Sequence, residues 1–129
     1  MTTITIREQA RTIFDDARAM HHQSLERLDA GDLRDAAEKA WCATKRATDA
    51  LILARTGEKI ETSSGTTQEL VRLVRTDRDL RPLRGKYFDR QSALHEACFY
   101  LGACDPEDDE KLIRETAQYL NDAERLAFL

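Results

Sequence analysis

A chain of 129 residues has room for one ordinary domain, not two, and is long enough to close a core without metals or disulfides. Its net charge of −4 and isoelectric point near 5.4 exclude bulk electrostatic attraction to nucleic acid or an anionic membrane, while leaving room for a local basic surface. With 41% hydrophobic and 34% charged residues, and only two prolines and five glycines, the composition favours amphipathic helices over sheet.

The first helix is expected from about Ile6 to Leu28, because Ala10, Ile13, Phe14, Ala17, Met20, His21, Ser24, Leu25 and Leu28 recur at spacings of three and four. Gly31 then suits a left-handed helix end, and Asp32 an N-cap. The second helix is expected from about Leu33 to Arg55. It is apolar around most of its later circumference, so it is predicted to be the most buried, with Trp41 in the core. Gly57 to Gly65 reads as a polar linker, and Thr66 with Glu69 as a capping box for a short helix over about Thr67–Arg75. Residues Thr76 to Gly85, with Pro82 and Gly85, read as turns or a broken helix. A fourth helix is expected over about Lys86–Leu101, ended by Gly102. A fifth begins at Asp105-Pro106 and carries Leu112, Ile113, Thr116, Leu120, Ala123 and Ala127 inward. The predicted fold is all-α: a single domain over residues 1–129 forming an up-and-down antiparallel bundle of four to five helices.

No apolar run can span a bilayer, and the opening residues Met1 to Ile6 lack the apolar stretch of a signal peptide, so a soluble, cytoplasmic protein with no membrane association is expected. Cys42, Cys98 and Cys104 are odd in number and lack framework spacing, so free thiols are expected. No Gly-rich phosphate loop, nucleophile elbow or HExxH motif is present, and neither metal nor cofactor is expected. His21 and His22 are adjacent, hence about 100° apart on a helix, and do not readily share a metal.

Two features carry possible chemistry. Between Val71 and Arg90, the seven cations Arg72, Arg75, Arg78, Arg81, Arg84, Lys86 and Arg90 face three anions, a local +4 inside an acidic protein. Such a patch suits a phosphate-bearing ligand such as RNA; a solvated, salt-bridged helix surface fits the same residues. The second feature is Arg90-Gln91-Ser92-Ala93-Leu94-His95. A histidine to move a proton and an arginine to hold a phosphate are the minimum equipment for metal-independent RNA cleavage. On an α-helix five residues turn through about 500°, leaving the two side chains about 140° apart. Arginine's long stem can bring its head back to the same cleft, and a dimer would supply second copies. The alternative is that His95 packs against Phe88 or Phe99 while Arg90 pairs with Asp89 or Glu96.

The run Ala30-Gly31-Asp32, then Ala36-Ala37-Glu38-Lys39-Ala40-Trp41, then the helix to Ala54, resembles the second helix of HEPN-domain proteins. Together with Leu94-His95-Glu96-Ala97-Cys98-Phe99-Tyr100 and the acidic start of the last helix, it is most similar to their PaREP1-like branch, over roughly residues 5 to 127. The resemblance implies a helical bundle, commonly dimeric, that in many members is a metal-independent endoribonuclease of toxin–antitoxin or defence systems. It implies His95 as acid–base group and Arg90 as phosphate clamp, with an antitoxin or nucleotidyltransferase as possible partner. Gln91 stands where Asn, Asp or His is more usual, and Ala97 where nucleotidyltransferase-paired toxins often carry Tyr. The same resemblance allows a non-catalytic nucleotide- or protein-binding module. Arg90 and His95 lining one exposed cleft would favour the enzyme.

Overall fold

The computed structural model describes residues 3–129 and contains five α-helices and no strand among them. Helix α1 spans Ile6–Asp29, capped by Thr5, whose side chain accepts the Glu8 amide proton. Helix α2 spans Leu33–Thr56, capped by Asp32 at one end and by left-handed Gly57 at the other. Between them Gly31, at φ 83°, reverses the chain so that α1 and α2 pack as an antiparallel hairpin, the most extensive helix pairing in the molecule. Thirteen of the 24 residues of α2 are buried, more than in any other helix. Its alanines let α1 and α5 approach closely, and Trp41 fills the space they leave.

Helix α3 spans Ser63–Thr76 and starts earlier than the capping-box reading places it. The cap is Thr62, whose hydroxyl accepts from the Gly65 amide. Thr66 lies inside the helix and fully buried, donating to the Asp49 carboxylate at 2.5 Å, while Glu69 pairs with Arg72. A 3₁₀ turn, Arg78–Leu80, leads into α4, Arg81–Arg90. The predicted break over Thr76–Gly85 is therefore confined to its first half. Pro82 sits in the first turn of α4, where its missing N–H costs nothing.

Helix α4 runs directly into a π-helical segment, Gln91–Tyr100, in which the backbone bonds i to i+5; the Leu101 amide donates to the Glu96 carbonyl. The expected single α-helix from Lys86 to Leu101 is thus two segments, one beginning earlier and one of different pitch. Gly102, at φ 69°, ends the run. Asp105 then caps α5, Pro106–Ala127, as the sequence predicts. Helix α5 lies across α2 and α1, inserting Ile113, Thr116, Tyr119, Leu120 and Ala123. Cys98 and Cys104 are joined by a disulfide across this bend, correcting the expectation that all three thiols are free; Cys42 alone is free. The fold brings the two together because the left-handed Gly102 folds the connection back on the π segment. No helix among the described residues is long and apolar enough to cross a membrane.

Candidate functional site

The π segment packs against α2, and His95 meets α2 on one face of that helix. Arg34, Glu38 and Trp41 lie four and three residues apart, one stripe of an α-helix. His95 Nδ1 is 2.8 Å and 3.1 Å from the two oxygens of Glu38. A carboxylate only accepts, so Nδ1 carries a proton, and Nε2 has no hydrogen-bond partner among the described residues. The ring stacks at a tilt on Trp41, 5.6 Å between centroids, and meets Tyr100 edge-on at 5.5 Å. Its side chain stays 32% exposed, and Tyr100 beside it is 69% exposed. Arg34 donates to the carbonyls of Phe99 and Tyr100 at 2.6 Å and 3.2 Å, tying the end of the π segment to α2. His95 therefore neither lies loose in solvent nor packs as a core residue against Phe88 or Phe99. Glu38, Trp41, Tyr100 and Arg34 are the neighbours that sequence reasoning missed. The signal available was the Arg34–Glu38–Trp41 stripe on α2.

Arg90 goes the other way. It is 3% exposed. Its Nε donates to the Thr116 hydroxyl at 3.2 Å, its Nη1 to the Lys86 carbonyl at 3.2 Å, and its guanidinium lies 5.5 Å from the centre of the Tyr119 ring. Among the described residues no carboxylate forms an ion pair with it, so it does not pair with Asp89 or Glu96. Two of its five N–H donors have acceptors. It lines a cavity of about 470 Å³ with Lys86, Asp89, Leu112, Glu115, Gln118 and Tyr119. His95 does not line that cavity. The two motif residues thus address different helices, Arg90 reaching α5 and His95 reaching α2.

The basic patch is partly assembled. Arg75, Arg81 and Arg84 line one groove between α3 and α4, about 350 Å³ in volume, with Val71, Val74 and Gly85. Arg84 also lies over the Phe88 ring. Arg72 is held by Glu69, Lys86 stands 3.7 Å from Asp122, and Arg78 is exposed in the 3₁₀ turn outside the groove.

The remaining histidines have structural partners. His22 is exposed beside Glu26, and His21 is buried with Nε2 2.8 Å from the Ile113 carbonyl. Burial holds the His21 imidazole below its ordinary value, with the positive Arg90 and His22 adding to the effect and the hydrogen bond to Ile113 opposing it. The unfolded chain then binds the proton more tightly than the folded one. The stability His21 contributes is present above about pH 6.5 and is lost as pH falls from there through the depressed folded value. A thermal melt series from pH 7.5 to 5 is expected to show this loss, and His21→Gln, which keeps a donor for Ile113 but does not titrate, to flatten it. An unchanged slope in His21→Gln would remove His21 as the source.

The fold and site define a five-helix bundle whose half-exposed histidine is oriented by a carboxylate on the neighbouring helix. The chain belongs to the archaeal PaREP1/PaREP8 family, whose sequence profile matches residues 12–120 and so takes in Arg34, Glu38, Arg90 and His95. No curated protein and no solved structure matches it.

Proposed function

We propose that this chain is an HEPN-type, metal-independent endoribonuclease, of the kind used in toxin–antitoxin or defence systems, with His95 as its acid–base group. The observation that carries the reading is the Glu38–His95 pair: Nδ1 is engaged, Nε2 is free, and the ring stays partly open to solvent. Nε2 takes the proton from a ribose 2′-hydroxyl, the 2′-oxygen attacks phosphorus, and the 5′-oxygen leaves with a proton. Exposed Tyr100 offers a face on which an unpaired base can stack. The groove of Arg75, Arg81 and Arg84 suits the strand's phosphates. One imidazole cannot be base and acid in the same instant, so a homodimer, supplying a second His95 and a second Arg90, is part of the proposal. An antitoxin or nucleotidyltransferase partner would cover the site.

A second reading, a non-catalytic nucleotide- or protein-binding module, is favoured by Arg90, which is buried and directed at α5. Product chemistry separates the two. Incubation with single-stranded RNA in excess chelator is expected to yield 2′,3′-cyclic phosphate and 5′-hydroxyl ends at an undiminished rate. RNA retained intact, or cutting that stops with the chelator, would overturn the enzyme reading.

A further inference from the structure

The disulfide lies at the joint between the π segment and α5, and a third group stands beside it. Cys98 is the buried residue in the last turns of the π segment, Cys104 is half-buried just before the α5 cap, and Asp109 lies in the first turn of α5. The two sulfurs and a carboxylate oxygen of Asp109 all lie within 4.8 Å of one another. Asp109 is only 4% exposed. One of its oxygens accepts the Asp105 amide proton, and the other has no hydrogen-bond partner among the described residues and stays accessible. Burial of the residue raises the Asp109 carboxyl above its ordinary value, and a cation beside its accessible oxygen would offset that desolvation. Asp109 also lines a cavity of about 560 Å³ whose wall carries Asp89, Asp105, Asp108 and Glu115 against one cation, Lys111, so the surroundings of its carboxylate are negative on balance.

From this geometry we infer that the reduced Cys98–Cys104 pair and Asp109 form a site for a thiophilic divalent cation of the zinc class, and that disulfide formation closes it. A thiol reductant delivers two electrons and two protons to the disulfide, leaving two thiols while its own thiols close to a disulfide. Each protein thiol then releases its proton as its sulfur binds the cation, and the Asp109 carboxylate is the third donor, with water the fourth. Tetrahedral zinc with sulfur at about 2.3 Å and oxygen at about 2.0–2.2 Å places its ligand atoms roughly 3.3–3.8 Å apart. The sulfurs must therefore separate. Cys104 sits in the connection between helices, where it can shift while Cys98 stays in place. The C-x5-C spacing alone does not announce such a site; the fold supplies the third donor five residues beyond the second cysteine.

The test is titration of the reduced full chain with cobalt(II). One equivalent is expected to give thiolate-to-cobalt charge-transfer absorption and the intense visible bands of tetrahedral cobalt, both erased by zinc. Cys104→Ser should lose half or more of the charge-transfer absorption, and Cys98→Ala gives the same reading should the first variant not fold. Asp109→Asn should weaken cobalt binding about tenfold or more. Cys42→Ser should bind as the parent does, and the oxidised protein should not bind. Reduced parent protein without the thiolate band would overturn the proposal, as would an undiminished band in Cys104→Ser or full affinity in Asp109→Asn.

Discussion

His95→Ala is expected to lower the rate of RNA cleavage by about 10²–10⁴-fold, the usual worth of a positioned acid–base group, with little change in melting temperature. The small stability effect follows from the ring's position: it is half-exposed and packs on Trp41 without filling the core. Glu38→Gln should cost less but in a diagnostic way. A carboxylate can only accept from Nδ1, whereas an amide can also donate to it, and a donated bond puts the imidazole proton on Nε2, where a base is needed. In the proposed reaction Glu38 would position His95 without touching the strand, so its loss should fall on kcat while KM for RNA stays near that of the parent. Single-turnover rates and KM for both variants check this. Cleavage that survives His95→Ala would remove His95 from the chemistry, and a Glu38→Gln effect confined to KM would place Glu38 in binding instead.

What the sequence makes legible here is what is encoded locally. Gly31 and Asp32, and Asp105 with Pro106, mark helix ends through their own backbone and side-chain preferences, and the structure places each as expected. Helix α3 starts earlier than the local cap spelled by Thr66 and Glu69 indicates. The Thr66 hydroxyl is instead claimed by Asp49, 17 residues away and on another helix. Likewise α4 begins before Lys86 because Leu83 and Tyr87 have a core to enter, and burial outweighs the glycine at 85. The π pitch of residues 91–100 has no signature in the local residue types, and it makes the 140° argument for Arg90 and His95 inapplicable. The residue types of the candidate site were readable. Its organisation was not, because Glu38 reaches His95 across 57 residues of chain and Thr116 reaches Arg90 across 26. Both contacts depend on helix packing, which spacing along one helix does not contain.

Arg90 is where packing and chemistry compete, and two substitutions divide them. Arg90→Ala empties a buried volume beside Tyr119 and should destabilise the fold by about 2–4 kcal/mol, in the range of large-to-small core changes. Arg90→Met keeps most of the stem's volume and removes the charge. Neither partner is stranded by that change, because the Thr116 hydroxyl also donates to the Leu112 carbonyl and the Lys86 carbonyl lies within helix α4. Replacing a buried, desolvated ion by an apolar side chain of similar size is often neutral or stabilising, so Arg90→Met should melt at or above the parent temperature while Arg90→Ala melts clearly below it. If Arg90 also clamps the scissile phosphate, Arg90→Met should nevertheless cut RNA about 10²–10³-fold more slowly. The three N–H donors it has to spare, facing the cavity with Lys86 and Gln118, are what a phosphate of a strand lying between two copies would meet. A well-folded Arg90→Met that cuts at the parent rate would assign Arg90 to packing alone. The positive charge at phosphorus would then have to come from another cation, and a candidate is Arg34, anchored on the Phe99 and Tyr100 carbonyls one helical turn from Glu38.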